Sequence, residues 1–212
     1  MPGLSVALIL IFLVIVFPLR SHRRKTRFGS TGRANYSEHR PLQWWAADLL
    51  FLSGFGLVLF GPVLLIVGSG GTAFETSPPL KALATVAVVL AISLAVWSQE
   101  TMGRAWRPDL SPASGATLVT TGPFRFVRNP NYTAMLIAAT GGTLIAPTPV
   151  GITGTLVLLV GLELTARAEE PLLKRAYGTP YRRYLAKTGR FIPGVGVIRQ
   201  GSPRDPGAGD GS

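Results

Sequence analysis

The chain reads as an all-α integral membrane protein with about five transmembrane helices, the last two forming a C-terminal hairpin, joined to short cytoplasmic amphipathic helices. Three observations predict this class. Of 212 residues, 47% are hydrophobic and only 15% charged, where a soluble domain carries about 25% charge. The apolar residues gather into a few long runs with the charges between them, the pattern of bilayer spans. The basic residues also fall almost entirely on one side of those runs.

The first run, 4–19, is slightly short for a span, which needs about 20 residues. Arg20, Arg23, Arg24, Lys25 and Arg27 follow it directly, no basic residue precedes it, and no small-residue cleavage site follows. That is a stop-transfer pattern and not a signal peptide. The second run, 44–68, opens on Trp44 and Trp45, which suit an interfacial anchor. Asp48 lies one turn in, at headgroup depth, and Pro62 is placed to kink the helix. A Gly/Pro-rich loop, 69–79, leads to the third run, 80–97.

A long polar segment, 98–131, is broken by Pro108, Pro112, Gly115, Gly122, Pro123 and Pro130, so short helices and loops are expected there. The next apolar stretch, 132–162, contains Pro147 and Pro149. Prolines so close end one helix and start another, giving a hairpin with arms at 132–146 and 149–167. Each arm is short for the bilayer. Beyond it, Leu172, Leu173, Ala176 and Tyr177 share one helical side, as do Tyr181, Tyr184 and Leu185 after a break at Gly178/Pro180. These segments read as amphipathic helices against the membrane. The division expected is three spans with a basic loop (1–97), a polar-and-hairpin core (98–195) and a disordered tail (196–212), whose Gly/Ser/Pro/Asp composition cannot bury a core.

With five spans, seven Lys/Arg in 20–40, four in 98–131 and nine in 163–212 share one side, and only Lys81 of the 21 lies opposite. The positive-inside rule then puts the amino terminus outside and the carboxyl terminus in the cytoplasm. A four-span or six-span chain would split these groups. The same distribution accounts for the net charge of +11 by topology and contact with anionic headgroups. No basic face with interleaved aromatics is present, so no nucleic-acid partner is expected. With no cysteine, and only His22 and His39, neither disulfides nor a metal site are expected.

Three polar features therefore meet in one compartment: the segment Gly122-Pro-Phe-Arg-Phe-Val-Arg-Asn-Pro-Asn-Tyr132, the cluster Arg167-Ala-Glu-Glu170, and Gln99-Glu-Thr-Met-Gly-Arg-Ala-Trp-Arg107. The hairpin brings the first two together, because Tyr132 begins one arm and Arg167 ends the other. Guanidinium groups, paired carboxylates and aromatic faces beside a bilayer suit a zwitterionic, aromatic ligand. Chemistry alone leaves a second account equally open, in which these are snorkelling or mutually paired interfacial charges.

The motifs add to this. The segment 117–132, the proline-split hairpin, and Glu169-Glu-Pro-Leu-Leu, Tyr177-Gly, Tyr181, Tyr184 and Ile192-Pro193 occur in that order. Over 98–195 the chain resembles the isoprenylcysteine carboxyl methyltransferase family, integral membrane enzymes that include relatives of the phospholipid N-methyltransferases. The resemblance implies S-adenosylmethionine as methyl donor, a lipophilic or membrane-associated acceptor, and cofactor contacts at Ala116, Thr117, Leu118, Val119, Phe124, Asn129, Pro130, Asn131, Tyr132 and Glu169, with Arg128 shaping the pocket. Glu170, placed to orient or deprotonate an amine, and Arg167 are the candidate catalytic residues. The chain departs from the family pattern at Phe124 (usually Tyr), Asn129 (usually His) and Thr165 (often Arg). Methyl transfer from a sulfonium is an in-line displacement needing alignment and exclusion of water, which fits a chain without an evident nucleophile. Two alternatives stand beside it: an NADPH-dependent reductase, because Arg128-Asn-Pro-Asn-Tyr132 also resembles an element of the sterol reductases, and a non-catalytic membrane scaffold.

Overall fold

A computed structural model describes residues 1–19, 42–103 and 117–198, together with His22 and Thr26. In it α1 (Pro2–Val14) runs into a wide helical turn, Ile15–Leu19. Then follow α2 (Leu42–Ile66), α3 (Pro78–Met102), a tight 3-10 turn (Gly122–Arg125), α4 (Pro130–Ile145) and α5 (Pro149–Leu185). Among the described residues the only strand-like pairing is a single bridge between Val127 and Gly189.

Among the described residues, four helices are long and apolar enough to cross a membrane: 2–19, 44–66, α3 and α5. The short first run reaches span length because the helix starts at Pro2. The fifth, α4, has 16 residues, or about 24 Å of helix, against a hydrocarbon core of about 30 Å. The hairpin arms are thus unequal. The first is short as expected, but the second does not end at 167: α5 continues through Pro171 and departs from helical geometry only at Gly178, with φ 57° and ψ −130°. The expected break is present at Gly178, whereas the separate helix expected over 172–177 is the end of α5 itself. About 20 residues cross the bilayer, so the stretch from Glu169 onward projects beyond it.

Packing is close because small residues line the contacts. On α2, Gly54 and Gly61 face α5, where Gly154 and Gly161 stand at the same seven-residue spacing. A Cβ on Gly154 would come within 2.6 Å of the Val58 backbone nitrogen, and one on Gly54 within 2.7 Å of that of Leu158. In lipid such backbone approach supplies the association that a hydrophobic effect cannot. Between α3 and α4 the same role falls to Ala84, Val88, Ala91 and Ala95 against Ala134, Ala138 and Gly141, all buried. The first helix is tied in by polar bonds, worth most where water is absent: Ser5 Oγ donates to the Gly142 carbonyl at 2.7 Å, and Gln99 Nε2 to that of Val16 at 3.2 Å. Phe12 stacks on Phe55 with centroids 6.2 Å apart. Outward positions such as Leu49, Leu52, Leu83, Leu90 and Leu156 are exposed and apolar, as a lipid-facing surface requires.

The hairpin turn is closed by Thr148, whose hydroxyl accepts from the Gly151 amide at 3.0 Å and caps α5. Across the turn, Thr143 and Thr155 hydroxyls lie 2.9 Å apart. At the other end, the chain leaving α5 returns to the start of α4. Gly196 and Ile198 are bonded there, to Arg128 and to Leu185. The structured core therefore extends past the boundary expected at 196; residues 199–212 lie outside those described.

Candidate functional site

The site is built where the turn before α4, the polar part of α5 and a C-terminal strap, 186–198, converge. The chain enters through Thr117, which is exposed, and Leu118 and Val119, which are half-buried; Ala116 lies outside the described residues. Gly122 then takes a positive φ of 57°, and a Cβ there would meet the Thr101 hydroxyl at 2.8 Å. This turn buries Pro123 and Phe124. The backbone carbonyl of Phe124 accepts from the Tyr184 hydroxyl at 2.5 Å, which ties the turn to the far end of α5.

From Val127 the backbone runs beside the strap. The Arg128 amide donates to the Gly189 carbonyl at 2.8 Å and the Asn129 amide to that of Arg190 at 3.1 Å. Only glycine fits at 189, because a Cβ would lie 2.0 Å from the Ile192 carbonyl oxygen. Thr133 adds a bond to the Phe191 carbonyl at 2.8 Å, and the rings of Tyr132 and Phe191 meet edge to face at 6.3 Å. Asn129 ends this pairing and precedes the first helical residue, Pro130, where a missing N–H costs nothing.

Two neighbouring carboxylates on α5 have different surroundings. The Glu169 Oε1 atom accepts from the Tyr132 hydroxyl at 3.0 Å. Desolvation pushes this carboxyl up to about 7, opposed by that hydrogen bond. Glu170 is buried and faces the other way. Its Oε1 atom is 3.0 Å from Arg128 Nη2 and 3.0 Å from Arg190 Nη2. Arg128 further donates to the Thr188 carbonyl at 2.5 Å and the Gly196 carbonyl at 3.0 Å. The ionic chain continues from Arg190 to Glu163, and from Glu163 to Arg167 at 2.7 Å.

The predicted residues thus divide. Tyr132 and Glu169 are brought into contact, with Asn129, Pro130 and Asn131 in the same turn. The buried Oδ1 atom of Asn131 has no protein partner, nor has Arg128 Nε. Arg167 is not drawn in: its side chain is 67% exposed and bonded to Glu163. Glu170 is committed to two arginines. Thr165, at the position where the family often has Arg, bonds its own helix at the Gly161 carbonyl. Of the third polar feature, Gln99 turns toward α1, and 104–107 lie outside the described residues. Sequence reasoning missed Arg190 and the strap. The available signal was a lone basic residue in a glycine-punctuated stretch, Gly189-Arg-Phe-Ile-Pro-Gly-Val-Gly196.

Residues 80–180, which carry both the turn and the carboxylates, match the phospholipid methyltransferase family. No curated protein matches the chain in sequence. Among solved structures, the chain is similar to the eukaryotic intramembrane Ras methyltransferase, isoprenylcysteine carboxyl methyltransferase, with a TM-score of 0.55 and 18% identity, over 92% of this chain and 70% of that one. The α-helical bundle is thus similar in fold to isoprenylcysteine carboxyl methyltransferase, and the segment similar to the phospholipid methyltransferase family lies at its polar end.

Proposed function

We propose that the chain uses S-adenosylmethionine to methylate a lipophilic or membrane-associated small substrate, with the cofactor held between the 117–132 turn and Glu169. The observation that carries this is the Tyr132–Glu169 pair, 3.0 Å apart, next to a buried and unpartnered Asn131 Oδ1. A carboxylate with no guanidinium paired to it among the described residues suits an ammonium or ribose hydroxyls. A spare amide acceptor suits an exocyclic amine, and the aromatic ring of Tyr132 suits a sulfonium through cation–π attraction. When bound, the cofactor supplies an electrophilic methyl group. The chain's own residues align and desolvate: Tyr132, Asn129, Asn131 and Glu169 bind, while Arg128 and Glu170 fix the turn that presents them. On this reading Glu170 and Arg167 are positioning residues, because both are engaged in ion pairs. The acceptor enters from the lipid, beside α4 and α5. Neither comparison supports the reductase alternative. Calorimetric titration with S-adenosylhomocysteine and, separately, NADPH tests the reading.

The proposed orientation places the site in the cytoplasm, supported by the seven, four and nine basic residues that flank the spans on that side. The chain has no cysteine, so a single cysteine at exposed Gly71, in the loop before α3, is expected to react with an impermeant maleimide added outside intact cells. Reaction only after lysis would reverse the orientation.

A further inference from the structure

Arg190 lies beyond the family-matched segment, yet it makes more polar contacts with the site than any other residue of the strap. Its backbone amide donates to the Val195 carbonyl at 2.8 Å, closing the strap into a loop, and its carbonyl accepts from Asn129 at 3.1 Å. Its guanidinium reaches two carboxylates seven residues apart on α5. Nε and Nη2 meet Glu170 Oε1 at 3.1 and 3.0 Å, and Nη1 meets Glu163 Oε1. A seven-residue separation is two helical turns, about 10.5 Å of rise, so one planar fork bridges the whole length of the polar face. The side chain is only 16% exposed, and charge-assisted bonds of this kind are the strong ones.

We propose that Arg190 is a positioning residue of the cofactor site: it clamps the 186–198 strap to α5 through Glu163 and Glu170, and the docked strap holds the 127–133 turn in its ligand-binding form. The backbone amides of Arg128 and Asn129, and the Thr133 hydroxyl one turn on, all donate to carbonyls of the strap. The Glu170 oxygen that pairs with Arg128 is the one that pairs with Arg190. Loss of the clamp therefore acts on Asn129, Asn131 and Tyr132 without touching them. Glu163, midway between Arg167 and Arg190, anchors the clamp at the membrane edge.

The inference rests on the cofactor reading above, and the test separates the two. Full-length protein in detergent is titrated with S-adenosylhomocysteine as parent, Arg190→Met, Arg190→Lys and Glu163→Gln. In parallel, strap docking is read from maleimide reactivity of a Thr188→Cys label, since Thr188 is buried. Arg190→Met is expected to weaken binding about tenfold and to speed labelling of position 188, both by more than its fall in ligand-free thermal midpoint accounts for. Lysine keeps the charge but not the fork, so it recovers part of the affinity, and Glu163→Gln falls between lysine and parent. Unchanged affinity and labelling in Arg190→Met would overturn the proposal. So would affinity lost only in proportion to the thermal midpoint across all variants, which is the behaviour of a residue that merely stabilises the fold. Absence of binding to the parent would remove the cofactor site and the clamp's role together.

Discussion

Arg128→Met is expected to detach the strap from α5 and lower the stability of the polar end by about 3–5 kcal/mol, the usual cost of leaving a buried charge without its partner. The Arg128 side chain is 2% exposed and that of Glu170 9%, so neither finds water when the other is removed. Three acceptors are vacated at once: Glu170 and the carbonyls of Thr188 and Gly196. Arg190 still faces Glu170, which limits the loss at the carboxylate but not at the carbonyls. Arg128→Lys is expected to rescue little, because the three donors of an ammonium sit on one nitrogen and cannot reproduce the two-nitrogen fork that meets these acceptors. Hydrogen exchange reads the outcome directly. Amides of 189–198 should exchange faster in the variant while those of α2 and α3 do not. Protection of the strap equal to that of the parent would show that the Arg128 bonds contribute nothing.

Glu169 carries the second large effect. Its carboxyl is raised from 4.5 to about 7, by desolvation against the opposing Tyr132 bond. In the ligand-free fold the neutral form is therefore favoured, and the cost of ionisation is absent below pH 4.5 and grows as pH rises toward 7. A ligand that donates to this carboxylate binds the ionised form. S-adenosylhomocysteine affinity should accordingly climb by up to about tenfold per pH unit below 7 and level off above it. Glu169→Gln should abolish that pH dependence and bind weakly throughout. The same variant should make the ligand-free protein more stable than the parent at pH 8 but not at pH 4.5. Glu169→Ala should eliminate binding and leave the helical bundle intact. A flat pH profile in the parent would place the ligand's donors elsewhere.

Much of this was legible in the sequence because bilayer constraints are coarse and strong. Apolar runs and prolines located the helices, and the Pro147/Pro149 pair located the hairpin that returns Glu169 to Tyr132. The details that escaped have physical reasons. Pro171 does not end α5, since a single lost backbone bond is tolerated where neighbouring turns hold the helix. Glu169 and Glu170 look equivalent as adjacent letters, yet a helix turns them about 100° apart, one toward Tyr132 and the other toward two arginines. Periodicity predicts which residues share a helix face but not which face meets which partner. The strap has no periodicity at all: its conformation depends on Gly189, Gly194 and Gly196 and on bonds to residues some 60 positions earlier. The close approach of α2 and α5 through Gly54, Gly61, Gly154 and Gly161 was likewise hidden, because glycine within an apolar run reads as loss of signal rather than as a contact.

The central claim, an S-adenosylmethionine site at the junction of the 117–132 turn and Glu169, is tested most directly by calorimetric titration of the detergent-purified chain. S-adenosylhomocysteine should bind at a single site, NADPH should not bind, and Glu169→Ala should remove the heat of binding while leaving the protein helical. Binding of NADPH alone, or of S-adenosylhomocysteine with equal affinity to the parent and to Glu169→Ala, would contradict it.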